Sequence, residues 1–189
     1  MTSREYTDAE LVELFKDKSH KQMAFKILIS RYKERLYWHI RKIVISHDDA
    51  DDVLQNTFLK IWQNFDSFQG KSALYTWLYR IATNEALTLL KKKRKSVQFS
   101  IDEEDSQYEK QLVNDPYFDG DEIQIQLQKA INTLPEKQRI IFNLKYFEEL
   151  KYEEISEILE TTVGSLKASY HHAAKKIEAY LKNNLVEKS

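Results

Sequence analysis

Residues 152–177 read YEEISEILETTVGSLKASYHHAAKKI. Ile155, Ile158 and Leu159 share one face of a first helix, and Val163, Leu166, Tyr170, Ala173 and Ile177 recur at steps of three and four on one face of a second. Thr162 stands just before the second apolar period, where a hydroxyl can cap the new helix. Only about three residues connect the two helices, so they must cross steeply, as in a helix-turn-helix. With the inward positions removed, the second helix presents Ser165, Lys167, Ala168, Ser169, His171, His172, Lys175 and Lys176. Hydroxyls, lysines and imidazoles on a slim helix suit a major groove, where they reach base edges and phosphates. The same spacing also fits an amphipathic hairpin whose polar face meets only water. Adjacent His171 and His172 point about 100° apart on a helix and cannot easily chelate one ion, so no metal is assigned.

Upstream, Ile123, Leu127, Ala130, Ile131 and Leu134 have helical spacing up to Pro135, and Ile140, Ile141, Leu144 and Phe147 mark another helix over about 136–147. Residues 123–189 therefore form a four-helix domain that ends in the helix-turn-helix. The other half, residues 1–95, is helical too. Phe25, Leu28, Ile29, Tyr32, Leu36, Ile40, Ile43 and Val44 make one stripe over 24–45, with Arg31, Lys33, Glu34, Arg35, Arg41 and Lys42 assigned to the outer face. Asp48, Asp49, Asp51 and Asp52 precede or open a helix over about 50–65 that buries Val53, Thr57, Phe58, Ile61, Trp62 and Phe65. The segment DSFQGKSA, residues 66–73, reads as a loop, and helix resumes at about Leu74.

Between the halves, residues 96–122 hold nine acids and one base without a sustained period, an acidic flexible linker. This segregation explains a misleading total. The 189-residue chain carries 29 Lys and Arg against 30 Asp and Glu, a net −1 that by itself argues against a nucleic-acid binder. Removing the linker leaves 28 bases against 21 acids, about +7 for the helical parts. The architecture expected is all-α: two small helical domains joined by an acidic linker. With 3 Gly, 2 Pro and no Cys, turn-rich folds, Gly-loop nucleotide binders, disulfides and thiolate metal sites are excluded or disfavoured. No apolar run is long enough for a membrane span and the first residues are polar, so a cytoplasmic protein is expected.

Chemistry in the first half concentrates in residues 62–79, which hold Trp62, Phe65, Phe68, Tyr75, Trp77 and Tyr79. Some of these must be core. Phe68 and Tyr75 flank the polar loop, however, and Trp77 begins a helical row that continues through Arg80, Asn84, Thr88 and Lys91. Aromatics beside a loop, followed by cations, suit stacking of unpaired bases while the backbone is held electrostatically. Asp52, Gln55, Asn56 and Leu59 lie one turn apart along one side and offer a protein-binding face, with helix capping as the plainer role of the acids nearby. No phosphate loop, nucleophile elbow or HExxH occurs, so no catalytic residue and no cofactor is assigned.

In chain order, AFKILISRYKERLYWHIRKIV, DADDVLQNTFLKIWQNF, SALYTWLYRIATNEAL and LPEKQRIIFNLKYFEELKYEEISEILETTVGSLKASYHHAAKKI resemble the bacterial RNA polymerase sigma factors, specifically their small extracytoplasmic-function group. The resemblance implies a promoter-specificity subunit whose partners are bacterial core RNA polymerase, promoter DNA (duplex at minus-35, single-stranded at minus-10) and an anti-sigma protein, with a monomeric free form. It places Asp52, Gln55, Asn56 and Leu59 on the coiled-coil clamp of the largest polymerase subunit, although the family often has Glu where this chain has Asn56. Phe68, Gln69, Gly70, Lys71 and Ser72 match the loop that takes a flipped minus-10 base. Trp77, Arg80 and Asn84 match the helix at that element's upstream edge, with Tyr75 and Lys91 in the same surface. Lys167, Ala168, Ser169, His171 and His172 match the minus-35 reading helix, with Ser165 beside them. Many members have Arg where this chain has Ser169 and His172, which predicts a different minus-35 sequence. A stand-alone helix-turn-helix regulator is the alternative, and it would need an effector pocket or dimer surface in the first half.

Overall fold

The computed structural model describes residues 6–96 and 122–186. All but the two end residues of the acidic linker, and with them the expectation of its flexibility, lie outside the described residues. Among the described residues eight α-helices follow one another, α1 Asp8–Lys16, α2 Lys21–Val44, α3 His47–Asn64, α4 Leu74–Ser96, α5 Glu122–Asn132, α6 Glu136–Tyr146, α7 Tyr152–Leu159 and α8 Val163–Val186, and no strand. A short 3-10 turn, Phe65–Ser67, leads out of α3. Among the same residues, no helix is long and apolar enough to cross a membrane.

Local chemistry sets the helix starts. The Ser46 hydroxyl accepts from the Asp49 amide to cap α3, and Asp48 and Asp49 occupy its first turn, where the helix dipole favours negative charge. Helix α1 was not expected from the sequence. Its signature is a capping box: the Glu10 amide donates to the Thr7 hydroxyl at 3.2 Å, and the Thr7 amide donates to the Glu10 carboxylate at 2.7 Å. Leu11 and Phe15 then enter the core, and Asp8 accepts from Arg31 and from the Tyr32 hydroxyl.

Helices α1 to α4 pack around Leu28, Leu36, Ile40, Ile43, Ile61 and Leu78, all fully buried, and the predicted stripe of α2 supplies most of them. This core does not stop at the linker. Ile140, Ile141, Leu144, Leu150, Ile155, Ile158 and Leu166 join it from the second half, because α6 packs on α2 and α7 packs on α4. Apolar side chains of both halves thus share one core, each removed from water. A smaller cluster of Ala130, Ile131, Leu134, Phe142, Ala173 and Ile177 ties α5, α6 and α8 together.

One expectation about α2 is corrected. Arg41, assigned to the outer face, is only 8% exposed, and Lys42 is mostly covered. Lys42 lies 4.1 Å over the Phe147 ring and 3.5 Å from Glu148, just past α6, and on α6 Arg139 donates to the Ile43 carbonyl at 3.3 Å and Asn143 to the Lys42 carbonyl at 3.5 Å, satisfying the last carbonyls of α2 with side chains from the other half.

Beneath this contact lies buried His39. Thr83 gives its hydroxyl proton to the Tyr79 carbonyl at 2.7 Å, so at 2.8 Å it accepts from His39 Nε2–H, leaving Nδ1 bare and without a hydrogen-bond partner. Burial, with Lys42 nearby, pushes the imidazole down to about 3. The unfolded chain therefore binds a proton near pH 6.5 that the folded chain refuses, and stability falls as pH drops below that value. Between pH 6.5 and 5 the loss should be about 1.6 kcal/mol. Urea midpoints measured across that window should decline for the native chain and change less for His39→Gln; parallel declines would remove this assignment.

Candidate nucleic-acid interface

Three surfaces carry the residues singled out in the sequence. On α3, Asp52, Gln55, Asn56 and Leu59 are all exposed and follow one another at i, i+3, i+4 and i+7, so they share a face. Leu59 is 58% exposed, an unpartnered leucine among polar neighbours. The inward side of the same helix buries Ala50, Val53, Leu54, Thr57 and Ile61, which fixes the orientation of the outer stripe.

The second surface is a cleft of about 330 Å3 lined by Ser67, Phe68, Gln69, Lys71, Ser72, Trp77, Arg80 and Glu157. Six of these are residues expected from the sequence, brought together by the turn after α3 and the first two turns of α4. Gly70, at the tip, has φ +67° with nothing within 4 Å of a built Cβ, so the left-handed backbone rather than space calls for glycine there. Trp77 is only 7% exposed. Its ring meets Phe65 edge-on, at 5.7 Å and 87°, and Phe68 at 5.3 Å and 48°, forming a rigid aromatic wall rather than an open platform. Lys71 is exposed and Arg80 half-buried, so the wall stands beside two cations. Asn84 and Lys91 continue exposed along α4. Tyr75 is not among the lining residues: it is half-buried, and its hydroxyl donates to the Glu154 carboxylate on α7. Two lining residues were missed. Ser67 sits in the predicted loop and could have been included, whereas Glu157 comes from sequence-distant α7 and no local pattern could have placed it there.

The third surface is α8. The Thr162 hydroxyl accepts from the Ser165 amide at 3.3 Å, the expected cap, and the turn of three residues from α7 is made by Glu160 at φ 50° followed by Thr161 and Thr162. Leu166, Ala173 and Ile177 are buried, with Val163 and Tyr170 partly so. Ser165, Lys167, Ala168, His171 and His172 are exposed and Ser169 is half-buried, so the face read from the sequence is the free one. The rings of His171 and His172 lie 6.1 Å apart at 57° to each other. Burial pushes the Tyr170 phenol up, in keeping with its packing against Phe142 and Tyr152.

Comparison with known proteins bears on all three surfaces. The family model for Sigma-70 region 2 matches residues 28–96, which hold the α3 face and every cleft-lining residue except Glu157, and that for Sigma-70, region 4 matches residues 124–177, which hold the helix-turn-helix. The chain is 32% identical to the ECF RNA polymerase sigma-E factor of Haemophilus influenzae over 186 residues, covering 93% of this chain and 96% of that one. It is also 32% identical to the ECF RNA polymerase sigma factor SigW of Bacillus subtilis over 172 residues, covering 86% and 91%. Among solved structures it resembles the sigma factor RpoE of Bartonella quintana, crystallised in complex with the anti-sigma factor NepR, with a TM-score of 0.67, 25% identity, and coverage of 84% of this chain and 96% of that one. With likeness running through both halves and their order along the chain, the protein belongs to the extracytoplasmic-function sigma factors of the sigma-70 family.

Proposed function

We propose that this sigma factor divides promoter recognition between its halves, residues 1–95 holding core polymerase and the minus-10 element and residues 123–189 reading minus-35 DNA, with 96–122 as the acidic linker. The observation that carries this reading is the cleft. It gathers Phe68, Gln69, Lys71, Ser72, Trp77 and Arg80 around a space of about 330 Å3 on the same half as the exposed α3 stripe. A flipped base needs an aromatic wall, polar groups for its edge and cations for the flanking phosphates, and these residues supply all three. Extruding a base costs a few kcal/mol, and stacking returns roughly 1–3 kcal/mol per base, so melting and recognition become one step.

The chain itself makes no bonds. It redirects the polymerase by binding energy at two DNA sites, and it works in the cytoplasm with core RNA polymerase, as a monomer until it meets that enzyme or an anti-sigma protein. On α8, Lys167 and His171 reach the minus-35 groove, with Ser165, Ala168, Ser169 and His172 around them. Lost base contacts typically cost about 1–3 kcal/mol. Lys167→Ala with His171→Ala should therefore reduce run-off transcription by reconstituted polymerase at least tenfold on a promoter with its minus-35 element. A template lacking that element should show little further loss. Equal loss on both templates would argue against base reading by α8 and would favour a purely structural role for that face.

A further inference from the structure

Phe15 of α1 is stacked on Phe65, with ring centroids 3.6 Å apart at an interplanar angle of 17°, and both side chains are almost fully buried. Phe65 in turn meets two rings of the cleft wall, Trp77 at 5.7 Å and 87° and Phe68 at 6.0 Å and 49°. Phe68 and Trp77 line the cleft, and Phe15 and Phe65 back them from the core. The other end of this chain of rings is anchored. Asp8, at the start of α1, accepts from Arg31 at 2.7 Å and from the Tyr32 hydroxyl, which pins α1 to α2. Lys21, at the start of α2, lies 3.3 Å from Asp66 in the 3-10 turn and 5.7 Å from the centre of the Phe15 ring, tying that turn to the same rings. Phe15 and Lys21 both precede residues 28–96, the stretch that matches Sigma-70 region 2.

A wall that captures a base works best when its rings already stand in the binding orientation, because ordering them at the moment of capture costs affinity. An edge-to-face pair transmits orientation, since the positive edge of one ring seeks the negative face of the other. The plane of Phe65 therefore sets the plane of Trp77, and the stacked Phe15 holds Phe65 against turning. From this geometry we infer that α1 is a positioning element of the base site: Phe15, through Phe65, fixes Trp77 and Phe68 in the orientation that receives an unpaired base. Phe15 itself touches no DNA. A methionine could fill much of the same space, but its flexible chain has no plane with which to hold Phe65. The inference rests on the reading of the cleft as the minus-10 base site, and it gives the first helix a part in promoter melting.

Polymerase reconstituted with the full chain is titrated with single-stranded oligonucleotides carrying the non-template minus-10 strand of a promoter mapped with the same enzyme, each with one base replaced by an abasic site. With the native chain, one position should cost about tenfold or more in affinity, the loss of one stacked base. Phe15→Met should reduce that penalty to about threefold or less and leave the other positions unchanged. Leu11→Ala removes a fully buried side chain from the same helix but outside the chain of rings, and should destabilise the protein at least as much. It should keep the full penalty, because a smaller folded fraction lowers affinity alike for intact and abasic strands. A spectroscopic reading accompanies the titration. With 5-fluorotryptophan incorporated, the Trp77 fluorine resonance, assigned by Trp77→Phe, should shift and broaden in Phe15→Met and stay in place in Leu11→Ala. Should Phe15→Met not fold, Phe15→Leu is read in the same way. An unchanged penalty or an unmoved Trp77 resonance in the Phe15 variant overturns the inference, as does an equal loss of penalty in Leu11→Ala. A native chain with no abasic penalty at any position would instead sink the base-site reading, and the inference with it.

Discussion

Asp52→Arg combined with Leu59→Asp is expected to weaken binding to core RNA polymerase by a factor of about 100 to 1,000, while the thermal midpoint of the free chain stays within a few degrees of the native one. The two residues are exposed at the ends of the i to i+7 stripe on α3, a separation of about 10 Å along the axis. Leu59 touches no core in the free chain, so its exposure has no folding rationale. An exposed apolar side chain flanked by a carboxylate and two carboxamides offers one group to fill a partner's pocket and polar groups to ring it. Introducing a carboxylate at the anchor desolvates a charge at the interface centre, and reversing Asp52 replaces attraction by repulsion; together these cost about 3–4 kcal/mol. Surface substitutions of this kind normally change folding by no more than about 0.5 kcal/mol, so binding and folding separate cleanly. Competition of labelled variant against native chain for core polymerase measures the affinity. Unchanged affinity would remove α3 from the polymerase contact.

The second large effect is expected at the cleft. Lys71→Ala with Arg80→Ala should leave core binding intact and slow open-complex formation on a duplex promoter about 100-fold. On a template whose minus-10 region is already mismatched, the defect should shrink to roughly tenfold or less. On the proposed reading, the two cations would hold phosphates flanking a base that the duplex otherwise retains by pairing and stacking, a cost of a few kcal/mol that the mismatched template has already met. Permanganate reactivity of unpaired thymines follows the melting directly. Equal defects on both templates would mean that the cations act only in general electrostatic attraction and not in base capture.

The residues that made the fold and site legible are those whose partners lie nearby in sequence. The α8 stripe of Leu166, Ala173 and Ile177, the Thr162 cap and the Gly70 loop all follow from periods and caps that span a few residues, and the structure has each of them in place. The stripe on α3 was legible for the same reason, since its inward side is as periodic as its outward side. Helix α1 was overlooked because only Leu11 and Phe15 of its nine residues are buried, too few for a period, although the Thr7 to Glu10 box was written in the sequence.

What escaped depends on contacts between the halves. Arg41 and Lys42 belong to the polar side of α2 by period alone, yet both are largely covered, Lys42 by Phe147 and Glu148 of the second half. Glu148 and Glu157 look like ordinary acids of a solvated helix end and a helix face, yet one is clasped by Tyr79 and Lys42 and the other stands at the cleft. Trp77 shows the subtler case. Its spacing from Arg80 and Asn84 suggested an open aromatic surface, but Phe65 and Phe68 close around it, so it shapes the cleft wall with little exposed area. The near-neutral total charge misleads for a different reason, because nine of the acids fall within residues 96–122 while the helical parts together carry about +7.

The central claim, that this chain confers promoter specificity on bacterial polymerase through both halves, is tested most directly by reconstitution. Purified chain is mixed with core RNA polymerase, and initiation is mapped on a library of genomic fragments. The account predicts a stable complex that starts transcription from a defined set of sites sharing a minus-35 and a minus-10 element, with starts lost on the Asp52→Arg, Leu59→Asp variant. A chain that neither co-purifies with core polymerase nor directs initiation from any fragment would contradict it.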